Sequence, residues 1–158
     1  MTATDWPSVA AIYQQGIETG NATFEQSVPS WDIWDSAHLE SCRIIAENQN
    51  EIAGWAALTP VSGRCVYAGV AEVSVYISNQ YKGQKLGTNL LLQLIEASEA
   101  VGLWTLQSSI FEENEASIRL HEKCGFRRMG YREKIGKMKG VWRNTVMLER
   151  RSSSVGID

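Results

Sequence analysis

The sequence has few of the residues that cross-link chains or bind metals. Its 158 residues include three cysteines and two histidines. Cys42, Cys65 and Cys124 lie far apart, no Cys-x-x-Cys occurs, and neither histidine stands at a metal-ligand spacing. The sequence therefore indicates neither a disulfide framework nor a zinc site, and we expect no metal. An odd, sparse cysteine count is typical of a reducing compartment, so we expect a cytoplasmic protein.

Long apolar runs and a strong charge of either sign are also missing. No stretch approaches the roughly 18 to 20 apolar residues that cross a bilayer, and the N-terminus has no signal-peptide pattern. The net charge is -3, with 44% hydrophobic and 21% charged residues. We therefore expect neither a membrane nor a nucleic acid as partner. A basic cluster between residues 119 and 139 fits one anionic ligand or simple solvation.

Two familiar nucleotide fingerprints are absent: Gly-x-Gly-x-x-Gly, and the Gly-Lys-Ser/Thr that ends a P-loop. The chain has instead Lys82-Gly-Gln-Lys-Leu-Gly87, between an alternating strand and an apolar helix. The first N–H groups of a helix lack partners and carry partial positive charge, so anions bind there. Gly83 and Gly87 allow a ligand close to the backbone, and Lys82 and Lys85 add two cations. Taken alone, however, such a turn is more often an ordinary connection than a pyrophosphate site.

The chain length fits one domain over residues 1–150, followed by a polar tail over 151–158. Apolar periodicity and end signals predict helices over 5–16, with Asp5 as N-cap, and over 30–41, 86–101 and 114–124. Strands are predicted over 43–48, 52–60, 65–78, 103–111, 126–135 and 142–149, with a turn over 136–140 joining the last two. Hairpins at the ends and helical crossovers in the middle predict an α/β fold. Its central sheet is mixed and mostly antiparallel, with helices on both faces.

Three sequence blocks stand in a fixed order: Glu72-x-Ser-Val-Tyr-Ile77, Lys82-Gly-Gln-Lys-Leu-Gly87 and Asn114-x-x-Ser-Ile-Arg-Leu-His-x-x-x-Gly-Phe126. Together they resemble the GNAT superfamily of acetyl-CoA-dependent N-acetyltransferases. The loop Ala22-Thr-Phe-Glu25, the segment 67–76 and Trp142 further resemble the phosphinothricin and methionine sulfoximine N-acetyltransferases. The resemblance covers residues 3 to 149. It implies a GNAT-like fold and direct transfer of an acetyl group from acetyl-CoA to the amino group of a small amino-acid-like substrate.

The resemblance also implies where the cofactor binds. It assigns backbone hydrogen bonds to the pantetheine arm to Val75, Tyr76 and Ile77. It assigns binding of the pyrophosphate to the turn formed by Gly83, Gln84, Lys85, Leu86, Gly87 and Thr88. Asn114 and Lys123 match further positions that touch the cofactor.

The chain departs from the family pattern at Lys82, where Gln or Arg is usual, and at Lys85, where Gly is usual. Lys in place of Arg keeps the charge but loses the bidentate fork. Lys85 costs of order 1 kcal/mol if its backbone must adopt a positive φ.

The catalytic candidates follow from the need for a neutral amine. A free α-amino group titrates near pH 8 and must lose a proton before it attacks a thioester. Glu72 matches the family's base, acting through a water, and burial would improve it by raising its pKa. His121 takes the position of a tyrosine that protonates the leaving thiolate in the family, which imidazole can do near neutral pH. The alternatives are a solvent-facing strand glutamate and a buried histidine with a hydrogen-bonded ring.

Substrate candidates come from the same resemblance. Phe24, Glu25 and Tyr67 match the substrate side, where an aromatic wall and a carboxylate suit a cationic amine, although Phe24 could equally fill the core. Other functions stay open: acetylation of a polyamine or a protein N-terminus, or a non-catalytic acyl-CoA-binding sensor. Relatives are commonly dimers, so a homodimer is expected. The family fold usually opens with a strand, for which only residues 1–4 are available here.

Overall fold

The computed structural model describes residues 1–157, which contain four helices and six strands. The helices are α1 (Trp6–Glu18), α2 (Trp31–Ala37), α3 (Leu86–Ala100) and α4 (Glu115–Lys123). The strands are β1 (Ile44–Asn48), β2 (Glu51–Pro60), β3 (Val70–Ile77), β4 (Thr105–Phe111), β5 (Arg127–Met138) and β6 (Val141–Arg151). Within this described part, every helix is too short or too polar to cross a bilayer.

All six strands form one mixed sheet in the order β1-β2-β3-β4-β6-β5. Only β3 and β4 are parallel neighbours, since α3 carries the chain back between them. One core cluster packs α3 and α4 on the sheet through residues such as Leu91, Leu94 and Ile118, and a second packs α1 and α2 through Val9 and Trp34. The predicted mixed α/β fold with helices on both faces is confirmed.

Two hairpins close on tight turns whose central residues both have positive φ. These are Gln49 and Asn50 (φ 51° and 65°) between β1 and β2, and Lys139 and Gly140 (φ 47° and 84°) between β5 and β6. Such turns match the twist of the flanking strands. The predicted turn over 136–140 was therefore too long, because the two-residue turn lets β5 continue to Met138.

Two further boundaries and one side-chain cap differ from prediction. The second helix ends at Ala37, not at residue 41, because the Arg43 guanidinium holds the carbonyls of Asp35 and His38 and draws the chain toward β1. Residues 65–67 form a 3₁₀ turn, so β3 begins only at residue 70. Asp5 stands at the N-cap of α1, but its carboxylate accepts from the Thr2 N–H (2.6 Å) and caps no N–H group of the helix; the Ser8 and Val9 N–H groups bond the Asp5 carbonyl instead.

Candidate active site

The sheet splits between its two parallel strands. β3 and β4 pair only at Val70, Ala71 and Glu72, opposite Thr105, Leu106 and Gln107. Beyond Glu72 the β4-facing N–H and C=O groups of β3 have no strand partner. A backbone edge of this kind can hydrogen-bond an extended ligand.

Two adjoining cavities open at the split. The inner cavity holds about 350 Å³, and its walls come from residues 72–76 of β3, residues 108–111 of β4, α4, the β5–β6 hairpin and residues 22–24. The outer groove holds about 510 Å³ and runs along the end of β3 to the start of α3. Both are lined by Ala22, Val75, Tyr76, Asn114 and Ser117. The two cavities therefore adjoin along these residues.

The turn before α3 forms the far end of the outer groove. Lys85 stands at the N-cap in the left-handed region (φ 61°), and no side chain caps the helix. Gly83 has φ 81°. The first N–H groups of α3 therefore remain free for an anion, beside Lys82 and Lys85 in the groove wall. Lys85 does adopt the positive φ for which glycine would be the less strained residue.

Most of the predicted cofactor residues meet in this groove: Val75, Tyr76, Ile77, Gly83, Lys85, Leu86, Gly87, Thr88 and Asn114 line it. Gln84 and Lys123 do not. The Gln84 amide lies 3.5 Å from the Gln80 carbonyl, and Lys123 ends α4. The cofactor roles of all eleven residues stay predictions.

Glu72 lies at the apex of the split and lines the inner cavity. Burial raises the pKa of its carboxyl, whereas the Arg132 charge and the Ser109 backbone act in the opposite direction. A carboxylate with a raised pKa is a stronger base at neutral pH. Glu72 is half-buried in the cavity wall, and its catalytic role stays a prediction.

His121 also lines the inner cavity and is only 3% exposed. Its Nδ1 lies 2.8 Å from the Ser117 carbonyl. Because a carbonyl can only accept, Nδ1 carries the proton and Nε2 has a free lone pair. No residue in the described part of the chain hydrogen-bonds the buried Nε2. Burial lowers the pKa of His121, so the ring is neutral near pH 7 and receives a proton before it can donate one.

A loop that we call the strap, residues 19–25, covers both cavities. Arg143 donates to the Gly20 carbonyl (2.8 Å) and to Asn21 Oδ1 (3.0 Å), and Asn114 Nδ2 donates to the Asn21 carbonyl (3.0 Å). The Arg143 guanidinium carbon lies 4.0 Å from the Phe111 ring centroid. The strap is thus fastened to α4 and to β6.

Phe24 completes the strap's contact with the inner cavity. Its ring packs edge-on against Phe111, with the ring centroids 4.6 Å apart. A Cβ on Gly136 would lie 2.6 Å from the Phe24 ring, so the missing side chain makes room for it. Phe24 is therefore both a packing residue and a cavity wall.

The other substrate candidates lie outside the inner cavity. Glu25 follows the cavity-lining part of the strap, and Tyr67 is exposed in the 3₁₀ turn before β3, with Arg64 over its ring. Trp142 is 55% exposed beside Lys137. The substrate roles of Phe24, Glu25 and Tyr67 stay predictions. Sequence reasoning missed Arg132, Arg143 and Thr145, whose importance depends on strand pairing that no local pattern encodes.

Comparison with known proteins decides the family. Residues 6–126 match the model described as the acetyltransferase (GNAT) family. The chain belongs to the GNAT acetyltransferases. It is 33% identical to a phosphinothricin N-acetyltransferase of Alcaligenes faecalis, over 92% of this chain and 77% of the relative.

Two further GNAT comparisons extend this result. An L-methionine sulfoximine/L-methionine sulfone acetyltransferase of Pseudomonas aeruginosa is 28% identical, over 92% of this chain and 88% of the relative. A crystal structure of a GNAT phosphinothricin acetyltransferase from Sinorhizobium meliloti, in complex with acetyl-CoA, superposes with a TM-score of 0.91. It is 25% identical and covers 100% of this chain and 89% of that one. The predicted family and enzyme class are confirmed.

Proposed function

We propose that this GNAT protein transfers an acetyl group from acetyl-CoA directly to the amino group of a small amino-acid-like acceptor, of the phosphinothricin or methionine sulfoximine type. One observation carries the proposal: the outer groove and the inner cavity join at the split between β3 and β4, with Glu72 at its apex. The names of the relatives support the acceptor type.

The outer groove fits acetyl-CoA. The unpaired edge of β3 at Val75 and Ile77 can hydrogen-bond the amide groups of a pantetheine arm. The free N–H groups of α3, with Lys82 and Lys85, suit a pyrophosphate. When bound, acetyl-CoA supplies the activated thioester, and the junction of the two cavities is where the acetyl group and the amine would meet.

The inner cavity supplies the proton chemistry. Glu72 takes a proton from the ammonium group through a water, which frees the lone pair that attacks the thioester carbon. A C–N bond forms, the C–S bond breaks, and the leaving thiolate takes up a proton. His121 suits this second transfer: its free Nε2 can take the proton that the attacking nitrogen loses as the amide forms, and because burial lowers the pKa of the ring, the imidazolium passes that proton on to the thiolate.

A Glu72→Gln variant tests the mechanism. We expect turnover to fall by about 100-fold or more, since the amide cannot accept the proton. Acetyl-CoA affinity should stay within a few-fold, because Glu72 lies in the wall of the inner cavity and not of the outer groove. CoA release measures the first quantity and calorimetry the second. Unchanged turnover would remove Glu72 from the mechanism.

The activity itself is tested with the wild-type protein, acetyl-CoA and a panel of free amino acids, phosphinothricin, methionine sulfoximine, polyamines and peptides. The strap and the cavity volume of about 350 Å³ favour small acceptors. Preference for a polyamine or a peptide N-terminus would replace the proposed acceptor. Acetyl-CoA binding without release across the panel would support a sensor.

We also propose a cytoplasmic homodimer without a nucleic-acid partner. Three unpaired cysteines support the cytoplasmic location, and a net charge of -3 supports the lack of a nucleic-acid partner. Exposed apolar side chains are concentrated on the β5–β6 hairpin: Met129, Tyr131, Ile135, Val141 and Trp142. β5 is also an edge strand of the sheet, and unpaired edges favour pairing with another chain. A second copy of the hairpin is the occupant that we infer.

A further inference from the structure

Two charged side chains of opposite sign line the inner cavity, one half-buried and one exposed. Glu72 comes from β3 and Arg132 from β5. The remaining polar lining groups are neutral near pH 7, including His121, whose pKa is lowered by burial. The cavity therefore offers an acceptor one acidic and one basic group.

A buried hydroxyl on the neighbouring strand lines the same cavity as Arg132. The Cα partner of Arg132 across the β5–β6 ladder is Thr145, and directly opposed residues place their side chains on the same face. Thr145 is 2% exposed, lines the same cavity, and its Oγ1 has no hydrogen-bond partner within residues 1–157. A buried hydroxyl without a partner is costly, and a ligand oxygen would satisfy it.

Within residues 1–157 the charge of Arg132 lowers the pKa of the Glu72 carboxyl but closes no salt bridge. Four other arginines of the hairpin and its strands form ion pairs, namely Arg127 with Glu149, Arg128 with Glu122, Arg143 with Glu113 and Arg150 with Glu99. In the described residues Arg132 has no such ion pair. Its planar guanidinium presents donors in a fork that matches a carboxylate.

We propose that Arg132, assisted by the Thr145 hydroxyl, binds the carboxylate of the acceptor, so that a free α-carboxylate is a requirement for good acceptors. The inference deepens the proposed function, on which it rests. An α-amino acid places its ammonium group toward Glu72 and its carboxylate toward Arg132. A polyamine would bring a second cation to Arg132, and a peptide N-terminus lacks the α-carboxylate.

The experiment compares matched acceptors. The best amino acid of the panel, its α-carboxamide and its decarboxylated amine are assayed for kcat/KM, each corrected for its fraction of neutral amine. We expect the wild type to prefer the acid over the carboxamide by about 10- to 100-fold, since charge-assisted hydrogen bonds are strong. Arg132→Gln should bring this ratio close to one, mainly through a higher KM for the acid.

Three variants separate recognition from folding. Arg132→Lys should restore part of the preference, and Thr145→Val should weaken it a few-fold with little change in shape. Arg127→Gln is the matched control, because Arg127 lies on the same strand but pairs with Glu149. It should leave the preference unchanged. An Arg132→Gln protein that still prefers the acid as the wild type does overturns the inference.

The two proposals fail in different ways. If the wild type acetylates acid and carboxamide equally well, the inference is wrong while the acetyltransferase function stands. If no acceptor releases CoA, the proposed function fails, and calorimetry on the CoA-bound protein decides the inference with L-methionine sulfoximine and its carboxamide. Tighter binding of the acid to the wild type than to Arg132→Gln supports it. Equal binding, or no binding of the acid, overturns it.

Discussion

At position 85 the backbone conformation favours glycine, whereas binding of an anion favours lysine. The Lys85 φ of 61° is a conformation that a residue with a Cβ adopts at a cost of about 1 kcal/mol. Its ammonium group adds a cation at the start of α3, where we propose that a pyrophosphate binds. Lys82 lines the same groove with an ordinary extended backbone (φ -62°). The two lysines thus form a natural pair for separating strain from charge.

We expect Lys85→Gly to raise the free energy of unfolding by up to about 1 kcal/mol. Lys82→Gly should give no gain, because its φ is already favourable. Both variants should weaken acetyl-CoA binding a few-fold, more so at low salt, since each removes one cation. Thermal unfolding and calorimetry at two salt concentrations measure these effects. Equal stability changes in the two variants would contradict the strain argument.

His121 makes the stability of the fold depend on pH. Burial lowers its pKa in the folded protein, so the unfolded chain binds the proton more tightly. Its contribution is complete above the unfolded value of 6.5 and is lost as the pH falls from there toward the lowered folded pKa. His38 acts in the same direction, because its pKa is also lowered by burial.

The loss on acidification should therefore be smaller without His121. We expect the melting temperature of His121→Gln to fall less than that of the wild type between about pH 7.5 and 5.5, with a limit of about 1.4 kcal/mol per pH unit for one proton. His38→Gln should also reduce the loss, and the double variant should reduce it most. Parallel curves for His121→Gln and the wild type would show that His121 does not titrate on unfolding.

At the scale of elements, local sequence signals predicted the helices and strands, whereas long-range contacts determined where some of them end. The helix predicted over 114–124 forms as α4 with Asn114 as its N-cap, whose Oδ1 accepts from the Ser117 N–H (3.2 Å). The end of α2 could not be predicted, because it depends on Arg43 and the approach of β1. The strap looked like an aperiodic loop, since Arg143, which holds it, follows Gly20 by 123 residues.

The strap is the element whose loosening should weaken acceptor binding most. Arg143→Met deletes the hydrogen bonds to Gly20 and Asn21, so we expect KM for the acceptor to rise about 10-fold while kcat changes less. Gly136→Ala should act similarly by displacing the Phe24 ring. Arg150→Met is the control, because Arg150 pairs with Glu99 away from the strap. A fall in kcat alone would argue against a positioning role for Arg143.

At the scale of the whole molecule, the sheet has two unequal edges. β1, at one edge, has five residues, whereas β5, at the other, has twelve. β5 and the adjoining end of β6 also carry the exposed apolar side chains described above. Hairpin and crossover patterns in the sequence predicted a mixed sheet. They did not predict which strands are at its edges, because β5 becomes an edge strand only when β6 pairs with β4. That the long strand β5 is an edge strand is therefore a property of the assembled fold.

An edge of this kind is satisfied by a two-fold pair of identical hairpins, because each copy then offers the same surface to the other. We expect the wild type to have twice the 17.6 kDa of one chain in light scattering. Ile135→Asp with Trp142→Ser should shift the protein to the monomer. Both side chains are at least half exposed in one chain, so replacing them should leave the chain folded. Val101→Asp, an equally exposed apolar site beyond α3, should leave the mass unchanged. A wild type that stays monomeric at tens of micromolar would exclude the dimer. A dimer that persists in the hairpin variant would place the subunit contact elsewhere.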